Sequence, residues 1–536
     1  KFIILLKGGH IMPKNNEINF SKYFNLPNPG LRSYFDKVRT GQPEEYRTTF
    51  AKGSSIQDVL KDWSPYLESL SDKWPTLLEF ENDLRAKVGP LSIMKPLSER
   101  MDDIDNYYTC VLNAAQPIDS RAIKAVLSEF KQIKGLTIRS QKRTIDVMKK
   151  STNSGSPYFT KRRNVVDKTY PCAVHAATNT QILHGQEWNN AAILGWRGQE
   201  GGTDVDDVKQ RVVWMFPFAV NIQELQVYQP LIESCQRFNL VPAWVSMDAV
   251  DRNITKMFDT KGPEDMVICT DFSKFDQHFN QELQTASRTI LEAIFTPQSH
   301  WWFDQVFPIK YEIPLAYDFD KIRFGKHGMG SGSGGTNADE TLAHRALQYE
   351  AAQQNNSRLN PYSQCLGDDG VLTYPGIDVD DVMRSYTAHG LEMNGDKQYV
   401  SKQDCTYLRR WHHINYRING VCVGVYSTYR ALGRLMEQER YYDPEVWGPK
   451  MVALRQLSII ENCKFHPLRE QFAEFCMKRD KYRLGIDIPG FLDNIDQIAK
   501  EAIDYMPDFL GYTKTMQKDA SMGLANWWIV QYLKSK

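Results

Sequence analysis

The stretch Tyr362 to Tyr374, read as Tyr-Ser-Gln-Cys-Leu-Gly-Asp-Asp-Gly-Val-Leu-Thr-Tyr, constrains this chain more than any other. One apolar run ends at Leu366 and another begins at Val371, with Gly367, Asp368, Asp369 and Gly370 between them. That pattern predicts a β-hairpin with these four residues as its turn. Two adjacent carboxylates then stand at the tip of a stiff element. Aspartate is common in turns because its side chain bonds its own backbone, so a lone Gly-Asp-Asp-Gly is ordinarily a solvated turn. A second acidic stretch upstream makes that account insufficient.

The second stretch is Met266-Val-Ile-Cys-Thr-Asp-Phe-Ser-Lys-Phe-Asp276. Strand character runs directly into Asp271, and Asp276 follows where the chain turns toward a helix over Glu282 to Phe295. If strand and hairpin are neighbours, Asp271 and Asp368 meet at one edge of a sheet. Carboxylates held that close repel unless cations lie between them. Oxygen ligands on short side chains suit Mg²⁺ or Mn²⁺, and two such ions about 4 Å apart drive in-line phosphoryl displacement. One ion would activate a sugar 3′-hydroxyl; the other would hold a triphosphate and neutralise the departing pyrophosphate.

With 536 residues the chain has room for about three domains and a large core. Lys plus Arg and Asp plus Glu are 65 each, so global charge carries no nucleic-acid signal. The local balance does: Arg121 to Tyr170 holds thirteen Lys or Arg against three Asp or Glu. The nine cysteines are scattered without Cys-x2-Cys spacing, which indicates neither a disulfide framework nor a zinc site and fits a reducing compartment. No apolar run approaches the length of a membrane span. Residues 1–11 are set aside as a leader, since Met12 opens a more ordinary sequence.

Three further stretches carry chemistry. Thr152-Asn-Ser-Gly-Ser-Pro-Tyr158 is followed by Lys161, Arg162 and Arg163. Gly155 and Pro157 among small residues let backbone approach a bound strand, and the cations behind can meet phosphates; a surface turn explains the same residues. Lys209 and Arg211 alternate, so both face one side of a strand and one triphosphate, or simply line an exposed edge. Arg197 is a weaker third cation, and Asp204, Asp206 and Asp207 are candidates to hold these cations without substrate. Gly330, Gly332 and Gly335 satisfy a dinucleotide-binding fingerprint, but Asp318 to His327 is too charged for the buried strand that must precede it. The helix pattern from Asp339 to Ala352 also leaves no place for the second strand, which disfavours a nucleotide-dependent oxidoreductase.

In order along the chain, Asp271-x4-Asp276, Ser331-Gly332-x3-Thr336 before a helix, and Gly367-Asp368-Asp369 resemble motifs A, B and C of the viral RNA-dependent RNA polymerases. The glycine-rich detail and the length are most like the picobirnavirus members. The resemblance runs from Thr152 to Arg410 and implies an α+β right-hand polymerase with fingers, an antiparallel-sheet palm and a helical thumb. By order, residues 12–60 form an arm bridging fingers and thumb, 61–258 are mainly fingers, 259–425 are palm with a fingers insertion near 300–328, and 426–536 are thumb and tail. The arm's Pro and Gly punctuation reads as extended rather than helical. The implied activity is RNA synthesis on an RNA template with two divalent metals held by Asp271, Asp368 and, secondarily, Asp369.

The same resemblance distributes further roles. Thr152, Gly155, Pro157, Lys161, Arg162 and Arg163 match motif G and guide template. Lys209 and Arg211 match motif F, with Arg211 roofing the incoming nucleotide. Asp276 accepts a hydrogen bond from the ribose 2′-hydroxyl, or else caps the next helix. Ser331 and Gly332 form a flexible loop touching template, while Thr336 and Asn337 open the next helix facing the sugar. Glu340 stands where the family often has Asn, so the sugar-sensing network runs through Asn337 or Glu340. Lys397, in Gly-Leu-x-Met-x3-Asp-Lys, matches motif D as general acid toward pyrophosphate. Cys405 to Arg410 matches motif E, with Arg409 or Arg410 on primer phosphates.

A tail loop within Leu510 to Trp528 is a candidate to stack an initiating base in primer-independent synthesis; the paired tryptophans equally suit anchoring the terminus. Implied partners are RNA, ribonucleoside triphosphates and capsid protein, inside the particle of a double-stranded RNA virus and in host cytoplasm. Ser331 to Asn337 and Asp276 disfavour a reverse transcriptase or DNA polymerase. A non-catalytic RNA-binding structural protein would explain the basic block but not the carboxylates.

Overall fold

The proline that argues against helix in the N-terminal arm in fact starts one. In the computed structural model, which describes residues 3–5, 11–13, 18–442, 444–505 and 523–536, Asn28 caps α1 (Pro29–Thr40) by accepting the Leu31 amide, 3.1 Å. Pro29 sits in the first turn, where a missing N–H costs nothing, and Gly41 at φ 81° ends the helix. The arm is therefore part helix. Leu31 and Phe35 of α1 join Phe20, Phe24, Ala191, Ile193, Ala316 and Ile322 in a small apolar core.

The chain then crosses to a second core. Phe50 and the apolar stripe Ile56, Val59, Leu60, Trp63 and Leu67 of α2 (Ile56–Glu68) pack with Leu77 and Phe80 of α3 (Pro75–Arg85) against the C-terminal helices. Residues 61–88, expected in the fingers, thus belong with the C-terminal body. A stripe that wide needs a large apolar partner, and here the C-terminal helices supply it.

Next come α4 (Ser120–Glu129), the hairpin of β1 (Ala192–Gln199) and β2 (Lys209–Met215), and α5 (Phe218–Arg237). β3 (Val267–Thr270) and α6 (Gln281–Ile294) follow, then β4 (Leu315–Asp318) and β5 (Lys321–Arg323). The last two strands return to the β1–β2 hairpin, giving one sheet in the order β5-β4-β1-β2, with β4 parallel to β1. The segment near 300–328 thereby joins the sheet that carries Lys209 and Arg211.

The glycine-rich loop leads into α7 (Thr336–Gln354), which packs behind the hairpin of β6 (Gln364–Leu366) and β7 (Asp369–Leu372). After α8 (Val379–Thr387) and β8 (Tyr399–Ser401) a four-stranded antiparallel sheet is complete, in the order β6-β7-β3-β8. β9 (Asp404–Tyr407), β10 (Arg410–His413) and β11 (Val425–Tyr426) form the adjoining small sheet. The C-terminal body contains α9 (Thr428–Met436), α10 (Pro444–Glu461), α11 (Arg469–Arg479) and α12 (Trp528–Lys534).

Most of the tail loop sketched from sequence, residues 510–522, lies outside the described residues. The tryptophans that end it are an anchor: the Trp528 amide donates to Glu461 at 3.1 Å and its ring stacks on Tyr532. All nine cysteines are free thiols; Cys110 is partly exposed and the other eight are buried. Among the described residues no helix is long and apolar enough to cross a membrane.

Candidate active site

The hairpin turn is tighter than the sequence reading. Leu366 pairs with Asp369, so only Gly367 and Asp368 form the loop and Asp369 is a strand residue. Gly367 at φ 58° in the first loop position fits the type II′ turn that matches strand twist. Gly370 has a different reason to be glycine: a Cβ there would lie 2.6 Å from the His344 ring of α7. That ring donates Nδ1–H to the Gly367 carbonyl at 2.9 Å, and burial lowers its pKa to about 4, so it serves as a neutral prop for the turn.

β7 pairs with β3 so that Gly370 faces Thr270, and one step further Asp369 comes opposite Asp271. The two acidic stretches therefore converge as the sequence predicts. Asp271 is fixed through its backbone: its N–H donates to Gln398 Oε1 and its carbonyl accepts from Gln398 Nε2, both at 2.8 Å. Asp369 is held by the Leu408 amide, 2.8 Å, from the β9–β10 turn. Neither Gln398 nor Leu408 was singled out from sequence. The signal for Gln398 was its place immediately after Lys397.

Burial raises the Asp271 carboxyl, with Lys397, Lys87 and Lys209 pulling the other way. Burial and then the Asp276 charge raise Asp368; burial and then Asp368 push Asp369 to about 7. Asp368 is exposed to solvent yet surrounded by protein, as a group on a cavity wall is. Among the described residues, no three carboxylate, histidine or cysteine groups stand close enough to grip an ion as placed. The donor chemistry nonetheless fits divalent cations: among the described residues no side chain is hydrogen-bonded to the Asp271 or Asp368 carboxylates, and the nearby Asp276 and Asp271 charges raise Asp368 against the pull of Arg211.

Lys209 and Arg211 share the exposed face of β2. The acidic loop does not hold Arg211. Its Nη2 donates instead to Asp276 Oδ2, 2.6 Å. Burial would raise the Asp276 carboxyl, but the Arg211 charge and hydrogen bonds from Arg211 and Glu340 outweigh it and hold it low. Asp276 lies inside the short helix Phe275–His278 rather than at its cap, which removes the capping alternative. Arg197 is paired with Glu439 at 3.5 Å.

The glycine-rich loop is packed rather than loose. A Cβ on Gly332 would sit 1.6 Å from the Trp214 carbonyl of β2, and Ser331 Oγ donates to the Val212 carbonyl at 3.1 Å. Glu224 of α5, unremarked in the sequence, accepts from Ser333 Oγ and from the Gly334 amide. Thr336 Oγ1 donates back to the Gly330 carbonyl, 3.3 Å, so it closes the loop rather than facing outward. Asn337 Oδ1 accepts the Trp244 indole N–H at 2.8 Å.

The expected RNA contacts divide. Thr152, Lys161 and Arg163 are exposed. Gly155 and Pro157 are buried, since a Cβ at Gly155 would lie 2.7 Å from the Phe216 carbonyl; they shape the turn from within. Arg162 is spent internally, donating to Asn221 Oδ1 at 2.5 Å and to the Asn153 carbonyl at 3.3 Å, and burial lowers its pKa to about 10. Arg409 occupies the β9–β10 turn at φ 60°, exposed, its pKa lowered first by the neighbouring Arg430 charge. Arg410 faces inward and is buried in a bidentate pair with Asp251, 2.8 and 2.9 Å, which removes it from the RNA-contact candidates. Lys397 is exposed at the end of a single 3₁₀ turn.

Known proteins share this sequence and fold. Residues 92–421 match the family model for viral RNA-dependent RNA polymerase. The potential RNA-dependent RNA polymerase of Human picobirnavirus (strain Human/Thailand/Hy005102/-) is 64% identical over 526 residues, covering 96% of this chain and 98% of that protein. The crystal structure of the RNA-dependent RNA polymerase of a human picobirnavirus is 63% identical with TM-score 0.93, and an insertion-loop deletion mutant of such an enzyme is 61% identical with TM-score 0.91; each match covers 98% of this chain and 100% of the other. Paired acidic strands, a glycine loop seated under a basic strand, and likeness along nearly the whole chain agree: this protein belongs to the viral RNA-dependent RNA polymerases.

Proposed function

We propose that Asp271 and Asp368 are the principal ligands of two divalent cations, Mg²⁺ or Mn²⁺, with Asp369 secondary, in a primer-independent synthesis of RNA on an RNA template. The β3–β7 register, which sets Asp271 opposite Asp369 and next to the Asp368 turn, carries this reading. Bound there, the cations acidify a 3′-hydroxyl and neutralise charge on the triphosphate. Lys209 and Arg211 draw in the triphosphate from the fingers side, and Asp276 accepts the ribose 2′-hydroxyl. The seated loop of Ser331 and Gly332 positions template, with Thr336 and Asn337 fixing the helix start behind it. Lys397 delivers a proton toward pyrophosphate. Thr152, Lys161 and Arg163 guide incoming template, and Arg409 beside Arg430 attracts the phosphates of the new strand. On this reading the enzyme works within the virus particle, against capsid protein, and in host cytoplasm.

The test is template-directed nucleotide incorporation by Asp271→Ala and Asp368→Ala proteins. Each should fall by at least about a hundredfold while melting no lower than the parent, because each change removes a repelled, desolvated charge. Substantial synthesis by either variant would end the metal assignment.

A further inference from the structure

The end of the turn assigned to template guidance also walls a cavity with no role in the chemistry above. Cys172–His175, Thr180–Leu183 and Gln186–Asn189 form a three-stranded antiparallel sheet. Its last two strands join through His184 and Gly185, at φ 46° and 84°, the positive pair that a tight type I′ hairpin needs. Leu183 lies opposite Gln186 in that register and Trp188 is two residues further on, so the three share one face of the sheet. That face lines the cavity together with Tyr158. The Tyr158 and Trp188 rings meet as an aromatic corner, 6.1 Å between centroids and 69° between planes. The N-terminal arm braces it: the Asn25 amide donates to the Pro157 carbonyl at 3.0 Å and Asn28 Nδ2 to the Tyr158 carbonyl at 2.9 Å.

The cavity is open and holds about 320 Å³, enough for a planar heterocycle. Its lining carries one charge of each sign, Asp167 and Lys168, both exposed, with Lys168 Nζ 5.5 Å from the Tyr158 ring centroid. These charges cancel, so the cavity suits an uncharged ring better than a phosphate. Cations for phosphate are outside the lining: exposed Lys161 and Arg163 lie on the short segment that joins Tyr158 to Asp167. A neutral aromatic recess with separate cations beside it matches a nucleotide within a single strand, and matches a free triphosphate poorly.

Resting on the reading of Thr152, Lys161 and Arg163 as template guides, we propose that this cavity is a base-binding site for single-stranded RNA. One unstacked base of the template still to be copied packs into the Tyr158–Trp188 corner, and its neighbouring phosphates lie against Lys161 and Arg163. Asp167, Lys168 and Gln186 present both donors and acceptors to the base edge. The site holds the strand extended before it enters the polymerase.

The test uses enzyme stalled on an RNA template by withholding one nucleotide, with 2-aminopurine placed at successive positions of the uncopied template. Emission at one or two adjacent positions should stand apart from the rest and return to their level in Trp188→Leu. In equilibrium binding of single-stranded RNA of increasing length, Trp188→Leu should weaken affinity at least about fivefold once the strand reaches the cavity, and leave shorter strands at the parental affinity. If Trp188→Leu does not fold, Gln186→Trp, which fills the cavity from an exposed position, should give the same two results. Emission without a distinct position, or a folded cavity variant that binds every length as the parent does, would overturn this inference alone. Free 2-aminopurine riboside that reproduces the emission change when no template position does would overturn it in favour of a nucleoside site. Lys161→Ala and Arg163→Ala together should lower the salt slope of RNA binding by about 1 or more; an unchanged slope would sink the template-guiding reading, and this site with it.

Discussion

Arg409 and Arg410 are neighbours with opposite fates, and each fate can be measured. Arg410→Ala leaves Asp251 buried without its partner, expected to destabilise by about 3–5 kcal/mol in denaturant unfolding. Arg409→Ala should leave the melting temperature in place and reduce the salt slope of RNA binding by about 1. The Leu408-Arg409 turn and strand alternation after it send one side chain out and the next in. Nothing local in the sequence distinguishes them, because the deciding residue, Asp251, is distant along the chain. Glu437 gives a pH test of the same kind. It is buried beside Glu45 and 3.7 Å from Arg47, and burial, then Glu45, pushes its carboxyl up to about 9. The unfolded chain releases this proton near pH 4.3, so the carboxyl lowers stability increasingly as pH rises from about 4 to 9. Glu437→Gln should therefore raise the melting temperature at pH 8 by on the order of 2 °C, a gain that vanishes near pH 4.

Elements show what patterning can carry. The strand ending at Asp271, the hairpin around Asp368 and the helix opening at Thr336 were legible because period and turn residues are local signals. The packing of α2 and α3 against the C-terminal helices was not, since an amphipathic stripe says that a partner exists and not which one. Glu81 of α3 is the clearest case. Fully buried, it accepts from Ser427 Oγ, from the Thr428 hydroxyl and amide, from the Tyr429 amide and from His466 Nε2, so it caps the start of α9 from across the molecule. Burial would raise its pKa, but these donors outweigh burial and lower it. Its stabilisation is thus present above the ordinary glutamate value and is lost as pH falls through the lower folded value. Glu81→Ala should cost about 3–5 kcal/mol at neutral pH, read by calorimetry.

On the scale of the whole molecule, the N-terminal segment is anchored at one end in the core around Phe20, Phe24 and Phe35 and at the other in the core around Phe50 and Trp63. The Arg430–Glu200 ion pair, 3.0 Å, and the Arg197–Glu439 pair tie the β1–β2 connection to the C-terminal body a second time. Loosening the first tie with Leu31→Ala and Phe35→Ala together should shorten the RNA made per binding event at least about threefold, measured with a competitor trap, while the Glu81-centred body keeps its melting transition. The distribution of thiols has a practical consequence. Because eight of nine are enclosed, a maleimide dye should attach at Cys110 alone, slowly, since burial raises that thiol's pKa. Lys274 and Glu392, whose charges act on this sulfur, lie in the segments that follow Asp271 and precede Lys397. A fluorophore placed there on the unmutated chain would sit beside both segments, so a change in its emission on adding nucleotide and template would report rearrangement there and an unchanged emission would exclude it.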